Sequence, residues 1–469
     1  MSNKHDDDSD QLDQYDNDED FDENRENDED GGNKSGSSKS RIILFIVIFL
    51  IAVGGGIYFG LNSNSDIFEK LQAFSLKNNE DSKEIASSSA EQKEASQSSS
   101  SQLSSAISSA GENKTDENAS GKTVKNNEGV QLMTFESDSI SKFMQCGNGF
   151  YYFTKDGVKF YQSTDNQKWN DTYTLSNITT VSNGDYAAVY EMLGRNLRVY
   201  SPDGKAYTVQ ADGLITHCEL NPSGYSTIIL NCDDEYKVQV YSSDGTLLLE
   251  RFDEDQGVYP ISSALSDDGK VLAVTYADTS DVSLISRVML FYTSKDDSRQ
   301  TDTGDFFAAI EKEDTVIPFI KYDSKGYFTA LSDKNIFAVD TKGKEIWNVD
   351  LTNKAEKAAI LNNGDIVLTL GDELAGKDGY PYGTLLIVGS GGKTEGEFKT
   401  GQSITYLNTT EKGIIVGNNK NFACLNDKGK VLWTFDATQD ISCIIPFDMS
   451  GRKILIVTST NAEIINAKR

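Results

Sequence analysis

The side chains of this chain that could act as nucleophiles, general bases or metal ligands are few. Its 469 residues include only two histidines and five cysteines. His5 lies in an acidic N-terminal stretch, so His217 is the single histidine available to a folded domain. A Ser-His-Asp triad or a multi-histidine metal site therefore has at most one candidate. We predict no catalytic residue and no metal site, with His217 as a structural residue or as one that faces a central channel.

The cysteines do not have the spacing of a metal or redox site. None forms a C-x-x-C motif, and no two are adjacent in sequence. Each falls in or beside a predicted strand, where a free cysteine behaves as a small buried hydrophobic residue. If a disulfide forms, the neighbouring positions of the last and first repeat units favour Cys443–Cys146. The five are Cys146, Cys218, Cys232, Cys424 and Cys443.

Phosphate and nucleic-acid binding are not supported either. Residues 389–394 (GSGGKT) resemble a phosphate-binding loop but lack its spacing, and they lie in a predicted strand hairpin. The chain has a formal net charge of -29, and the domain that follows the N-terminal segments is also acidic, so nucleic-acid phosphates would be repelled. We predict no cofactor and no nucleic-acid partner.

The N-terminal part of the chain is predicted to tether the rest to a membrane. Residues 1–40 are dominated by Asp and Glu with little to bury, which indicates a disordered tail, either solubilising or a docking segment for a basic partner. Residues 41–61 are predicted to be a transmembrane helix, because 42–61 is a run of about twenty residues without a charge, enough to cross a bilayer as one helix. A cleaved signal peptide is the alternative, but the long acidic segment before the span argues against it. Lys34, Lys39 and Arg41 precede the span and favour a cytoplasmic N-terminus.

Residues 62–128 are predicted to be a flexible spacer. Most of this segment consists of Ser, Glu, Lys, Ala and Gln, which cannot bury enough apolar surface to fold. About fifty flexible residues have an end-to-end distance of roughly 40 Å. The spacer would therefore hold residues 129–469 away from the bilayer without fixing their orientation.

Residues 129–469 read as a run of short β-strands with two alternating kinds of turn. One kind separates the first and second strands of each unit and carries a glycine, which accepts positive φ at little cost. These glycines lie roughly 35 to 57 residues apart, the period of a propeller blade. They are Gly149, Gly184, Gly224, Gly269, Gly326, Gly364, Gly413 and Gly451. The other kind, between third and fourth strands, occurs at 164–167, 201–205, 242–246, 293–297, 341–345, 389–393 and 426–430.

The second kind of turn occurs one time fewer than the first, which predicts how the ring closes. The last unit supplies only three strands, while an unattached strand at residues 130–135 precedes the first unit. If that strand completes the last unit, an all-β, eight-bladed β-propeller closes and leaves no open end. Seven blades are the alternative if the irregular stretch 294–316 hides no outer strand. A pair of β-sandwiches is a further alternative, but it does not explain the alternating turns.

Two units carry a more specific motif. Residues 423–433 (ACLNDKGKVLW) and 338–347 (AVDTKGKEIW) resemble the tryptophan-docking repeat of quinoprotein-type (PQQ-binding-like) β-propellers, and Trp169 marks a weaker copy. The resemblance implies that Trp347, Trp433 and Trp169, with Gly343 and Gly429, dock one blade onto another. Within that superfamily the chain looks most like membrane-anchored propellers of unknown function from Gram-positive bacteria. It resembles more distantly the lipoprotein propeller of the outer-membrane assembly machinery.

These features predict a binding protein rather than an enzyme. A quinone dehydrogenase of this superfamily would need a cofactor slot, calcium-binding carboxylates and, in several members, adjacent cysteines, and the cysteine pair is absent. The leading hypothesis is a membrane-tethered, extracytoplasmic scaffold that binds a protein or a cell-wall polymer. The alternatives are a single-pass sensor that relays propeller occupancy to the acidic tail and a quinone-dependent or hydrolytic enzyme.

Overall fold

The computed structural model describes residues 122–125, 129–136, 141–163, 166–232, 235–253, 255, 257–280, 283–294, 306–361, 363–374 and 376–467. The predicted acidic tail (1–40), the predicted span (41–61) and most of the predicted spacer (62–128) lie outside these residues. Among the described residues, no helix is long and apolar enough to cross a membrane. Every regular element in them is a β-strand.

The first two strands, β1 (Lys122–Lys125) and β2 (Gly129–Glu136), precede the blades in sequence but pair with the last two of them. The other strands form four-stranded antiparallel units in chain order. Blade 1 contains β3 (Lys142–Cys146), β4 (Gly149–Thr154), β5 (Gly157–Ser163) and β6 (Asn166–Thr172). Blade 2 contains β7 (Thr179–Asn183), β8 (Tyr186–Tyr190), β9 (Asn196–Ser201) and β10 (Gly204–Gln210). Blade 3 contains β11 (Leu214–Leu220), β12 (Ser226–Asn231), β13 (Tyr236–Tyr241) and β14 (Leu247–Asp253). Blade 4 contains β15 (Val258–Leu265), β16 (Val271–Asp278), β17 (Ile285–Tyr292) and β18 (Ala308–Glu313).

The second half of the chain repeats the arrangement. Blade 5 contains β19 (Phe319–Tyr322), β20 (Phe328–Leu331), β21 (Asn335–Val339) and β22 (Glu345–Asp350). Blade 6 contains β23 (Asn353–Ile360), β24 (Ile366–Glu373), β25 (Thr384–Val388) and β26 (Thr394–Lys399). Blade 7 contains β27 (Tyr406–Thr410), β28 (Gly413–Gly417), β29 (Asn421–Leu425) and β30 (Val431–Asp436). Blade 8 contains β31 (Cys443–Pro446), β32 (Lys453–Val457) and β33 (Asn461–Ala467) from the end of the chain.

The N-terminal strand β2 closes the ring as predicted. It pairs antiparallel with β33, from Gly129 opposite Ala467 to Glu136 opposite Asn461, and so becomes the outer strand of blade 8. Phe447 of blade 8 also packs on Phe150 of blade 1, with ring centroids 5.8 Å apart. The eight-bladed propeller is therefore confirmed, and the seven-bladed and β-sandwich alternatives are excluded. Strand β18, within the irregular stretch 294–316, completes blade 4.

Burial along the strands explains why these segments form blades. Second and third strands are covered on both faces by neighbouring blades, as in β8 and β20, which are almost wholly buried. Outer strands such as β22 alternate between half-buried and exposed residues, because one face meets solvent. Buried apolar clusters fill the spaces between successive blades, and one of them joins blade 8 to blade 1.

Strand β1 was not predicted. It runs parallel to β30, with Lys122 opposite Trp433 and Lys125 opposite Asp436, and so adds a fifth strand to blade 7. The strand lies inside the range 62–128 predicted as spacer, so the propeller begins at or before residue 122. Four residues within a segment rich in Ser, Asn, Glu and Lys are too short to recognise as a strand from the sequence.

The propeller has two faces, which we name by their connections. The turn face carries the inner turns, between first and second strands, and the outer turns, between third and fourth strands. The loop face carries the turns between second and third strands and the connections from one blade to the next. First strands of neighbouring blades contact each other around the axis, for example β11 with both β7 and β15.

Candidate functional site

His217 lies on β11, the first strand of blade 3, and faces blade 4. Its Nε2 atom accepts the backbone N–H of Ser263 on β15 at 3.4 Å. Burial lowers the pKa of the imidazole to about 4, so the ring is neutral near pH 7. The Ser263 hydroxyl hydrogen-bonds Thr227 rather than the imidazole, so it is not paired with a base. The geometry connects two blades and assembles no nucleophile.

The predicted Cys443–Cys146 disulfide is wrong, because all five cysteines are free. The Cys146 thiol donates to the Asp185 carbonyl oxygen of blade 2 at 3.6 Å. The Cys443 sulfur instead accepts the Tyr406 hydroxyl of blade 7 at 3.7 Å. The Cys443 side chain packs in the buried cluster between blades 8 and 1, whereas Cys146 packs in the cluster between blades 1 and 2, so the two thiols lie at different blade interfaces. Burial raises the pKa of Cys146 to about 12 and that of Cys443 to about 11, which keeps both protonated and unreactive.

The structure places each motif tryptophan against the following blade. Trp169 of blade 1 donates its indole N–H to the Pro202 carbonyl oxygen of blade 2 at 2.9 Å. Trp347 of blade 5 donates to the Ser390 carbonyl oxygen of blade 6 at 2.8 Å. Trp433 of blade 7 is fully buried beneath Gly451 in the inner turn of blade 8. Its Nε1 atom has no hydrogen-bond partner among the described residues.

The motif glycines face the opposite way, towards the preceding blade. A Cβ atom on Gly343 would lie 2.2 Å from the Ala308 Cβ of blade 4, and one on Gly429 would lie 2.8 Å from the Glu397 carbonyl oxygen of blade 6. Both glycines have positive φ, +81° and +74°. Residues 389–394, the segment that resembles a phosphate loop, form an outer turn of blade 6, in which Gly392 contacts the Trp347 ring. Gly343, Gly429 and Gly392 therefore all lie at contacts between blades.

Two observations concern metal and ligand binding in the part of the chain that the structure describes. Its histidines, cysteines and carboxylates form no group of three or more placed to bind a metal ion. A cavity between blades 6 and 7, bordered by Phe398 and Asn421, has a volume of about 10 Å³. That volume holds one water molecule and no cofactor.

The feature that packing does not explain is a turn on the loop face of blade 2. Met192 is 40% exposed and Leu193 is 58% exposed. Leu193 has φ +61°, a left-handed conformation that is costly for a residue with a Cβ atom. Only Asp314 shares positive φ among the described residues other than glycine. Strain of this kind persists only where the surroundings enforce it.

The surroundings of Leu193 enforce this conformation from two sides. Its N–H donates to the Ile215 carbonyl oxygen of blade 3 at 2.8 Å, and the Ile215 N–H donates to the Gly194 carbonyl oxygen at 2.8 Å. The Glu191 carboxylate accepts the Ser176 and Asn177 amides, at 2.5 and 3.2 Å. The turn is thus a rigid support that presents two apolar side chains to solvent.

Charged contacts connect this turn to a third exposed apolar residue, Phe252. Arg195 donates to the Asp212 carbonyl oxygen, and the Asp212 carboxylate pairs with Lys237 at 2.6 Å. The Lys237 ammonium lies 4.9 Å from the centroid of the Phe252 ring, and Phe252 is 50% exposed. We call this surface the blade 2–3 patch; it comprises Met192, Leu193, Arg195, Asp212, Glu235, Lys237 and Phe252. Sequence reasoning missed it, because exposure and a leucine at positive φ have no signature in the sequence.

Comparison with known proteins places the chain in a family. The model of a family of unknown function (DUF5711) matches residues 113–466. The chain belongs to this family. The match spans all eight blades and begins before β1, which agrees with β1 being part of the folded domain. No curated protein is significantly similar to the chain in sequence.

Several solved structures are similar to the chain at low identity. BamB from Moraxella catarrhalis is 13% identical with a TM-score of 0.46, over 73% of this chain and 98% of that one. The Dos1 propeller is 11% identical with a TM-score of 0.47, over 73% and 96%. Sqt1 from Chaetomium thermophilum is 10% identical with a TM-score of 0.45, over 75% and 100%. The fold assignment rests on this chain's own strand pairing.

Proposed function

We propose that this protein is a membrane-tethered, extracytoplasmic β-propeller that acts as a non-catalytic scaffold and binds a protein partner through the blade 2–3 patch. The observation that carries the proposal is the exposed, strained Leu193 turn. A leucine in this conformation costs about 1–2 kcal/mol, a cost that glycine would avoid. Backbone strain that the surroundings enforce is concentrated at functional sites, and here the strained residue presents an apolar side chain to solvent.

The chemistry of the patch supports a protein partner more than a wall polymer. Met192, Leu193 and Phe252 offer apolar contact area, and Asp212 and Glu235 lie beside them. A polymer rich in hydroxyl or phosphate groups would find few donors here, whereas an apolar segment flanked by basic residues would fit both components.

The sequence supports the tethering part of the proposal. Residues 1–40 form the cytoplasmic tail, 41–61 the transmembrane helix of a Gram-positive-type membrane-anchored propeller, and 62–121 the flexible spacer. The Lys34, Lys39 and Arg41 cluster sets the orientation.

Leu193→Gly in the full chain tests the proposal in living cells. The variant removes the apolar side chain and also relieves the backbone strain. We expect its thermal unfolding temperature to stay equal or to rise, while a membrane-impermeant cross-linker added to intact cells captures at least tenfold less of the partner. Gain of stability with loss of binding separates a binding residue from a structural one.

Leu247→Ala is the matched control. Leu247 is 45% exposed on β14 of the same pair of blades but lies outside the patch, so it should leave partner capture unchanged. An unchanged cross-linked species in Leu193→Gly would contradict binding at the patch. Absence of any species from outside the cell would contradict the extracytoplasmic location.

A further inference from the structure

The turn face of blades 5–8 carries exposed or half-exposed basic side chains that make no ion pair or side-chain hydrogen bond within the described residues. They lie in inner and outer turns of four successive blades, and we call them the basic arc. Its members are Lys325, Lys342, Lys344, Lys393, Lys430, Arg452 and Lys453. On the loop face, Lys334 and Lys377 instead donate their ammonium groups to the backbone carbonyls of Asp314 and Leu351.

Carboxylates in the same turns are mostly directed to other partners. Asp323 and Asp340 accept backbone amides of their own turns, between 2.8 and 3.0 Å. Asp448 does the same for Ser450 at 2.8 Å.

Two glutamates of these turns pair with lysines outside the arc: Glu345 with Lys312 at 2.6 Å and Glu395 with Lys428 at 3.0 Å. These carboxylates lie among the basic side chains, so they offset part of the positive charge of the arc.

Apolar side chains project from the same turns. Met449, in the inner turn of blade 8 next to Arg452, is 60% exposed. Tyr327, which follows the inner turn of blade 5, is 39% exposed. Cations interspersed with exposed apolar and aromatic residues are typical of surfaces that bind at a membrane interface.

The path of the chain brings this face towards the tether. Strand β30 begins directly after the outer turn of blade 7, which contains Lys430, and runs towards the loop face. Strand β1 is parallel to β30, so the chain enters the propeller from the turn-face side. The segment that leads to the proposed membrane anchor therefore joins the molecule beside the basic arc.

We propose that the turn face of blades 5–8 docks onto the bilayer that anchors the chain. The basic arc contacts phosphate groups of anionic lipids, and Met449 and Tyr327 enter the interface between headgroups and acyl chains. This inference rests on the proposed membrane tether. It directs the loop face, with the blade 2–3 patch, away from the membrane.

Amine footprinting of the full chain in vesicles tests the docking. The chain is reconstituted into vesicles of phosphatidylglycerol with phosphatidylcholine, or of phosphatidylcholine alone, and labelled with an amine-reactive reagent at about 0.05 M salt. We expect Lys325, Lys393 and Lys430 to be acylated several-fold more slowly in the anionic vesicles, with Lys155 on the loop face of blade 1 unchanged. The difference should disappear near 0.5 M salt, where charges are screened within a few Å.

A variant and two further additions distinguish the possible outcomes. Met449→Ser should weaken the protection without changing the unfolding temperature, because Met449 is solvent-exposed. Equal labelling of the arc in both kinds of vesicle would overturn the proposal. Protection by inorganic phosphate or by a soluble phosphodiester polymer in neutral vesicles would assign the arc to a free anion or to a wall polymer instead. Flotation of the chain with vesicles at high salt reports on the anchor separately, so failure of the tether and failure of docking are distinguishable.

Discussion

Burial between blades determines the protonation of His217. The imidazole accepts a backbone N–H from the next blade, and a charged ring there would lose most of its hydration. The five cysteines share this behaviour, since burial raises the pKa of each and favours the neutral thiol. Histidine and cysteine are reactive residue types, but in this protein His217 and the cysteines are part of the packing.

The lowered pKa of His217 predicts a specific acid sensitivity. The folded-state pKa of about 4 lies below the ordinary value of 6.5, so the unfolded chain takes up the proton first as pH falls. Its contribution to stability is complete above about pH 6.5 and is lost progressively towards pH 4, at most about 2 kcal/mol between pH 7.5 and 5. His217→Gln should remove that part of the pH dependence, measured as the difference in urea unfolding between the two proteins. If the unfolding free energies of wild type and variant changed in parallel with pH, the His217 ring would not be held neutral in the folded protein.

At the level of elements, outer turns make close contacts with the preceding blade. The outer turn of blade 5 meets the last strand of blade 4 at Gly343, and the outer turn of blade 6 meets Trp347 of blade 5 at Gly392. Blade 3 repeats the contact at Gly245, where an added Cβ atom would lie 2.8 Å from the Tyr207 Cβ of blade 2. The turns thus form a contact line along the rim of the turn face.

Gly343→Ala tests whether this contact contributes to the free energy of unfolding. The alanine would combine the strain of φ +81° with a Cβ clash at 2.2 Å, and we expect a loss of roughly 2–5 kcal/mol. Gly401→Ala is the control, because Gly401 has φ +69° and no atom within 4 Å of an added Cβ. That variant should lose only the strain, about 1–2 kcal/mol. If chemical denaturation shows the same loss of unfolding free energy in both variants, the contact between Gly343 and Ala308 accommodates a methyl group without loss of stability.

At the scale of strands and turns, the predictable features are those that depend on residues close together in the sequence. Glycines at the inner turns marked the blades because few other residues accept their backbone angles, although in blade 1 the positive φ belongs to Gly147 and not to Gly149. The motifs at Trp347 and Trp433 predicted docking between blades, and both side chains contact a neighbouring blade. The direction in which Cys443 and Cys146 point was not predictable, since alternate residues of a strand face opposite sides and a one-residue difference in register reverses them. Strand β1 and the Leu193 turn depend on distant backbone partners that no local pattern records.

At the scale of the whole molecule, stability depends on the pairing of β2 with β33. Without β2, blade 8 would present an unpaired edge, a ready template for association with other chains. The eight apolar clusters between blades form a closed series, so opening one interface exposes two blades at once.

Truncation from the N-terminal side tests the closure. A chain that begins at residue 120 retains β1 and β2 and should be a folded monomer in light scattering. A chain that begins at residue 127 should keep the ring and lose only the fifth strand of blade 7, with a modest fall in melting temperature. A chain that begins at residue 141 should aggregate or melt far lower. A stable monomer from that shortest chain would show that three strands suffice for blade 8.

Ring closure by β2 also sets the order in which strands can pair while the chain is being synthesised. The ribosome makes residues 129–136 before any blade exists, yet their partner, residues 461–467, is made after all the other strands of the propeller. Blades 1 to 7 can assemble from neighbouring segments as they emerge, whereas closure must wait for nearly the whole domain and then bring distant segments together, a slow kind of contact. Until then one early strand stays unpaired, and a chain that stops short of β33 never acquires a partner for it. The design makes completion of the last blade a condition for the pairing of β2, a strand that is made early.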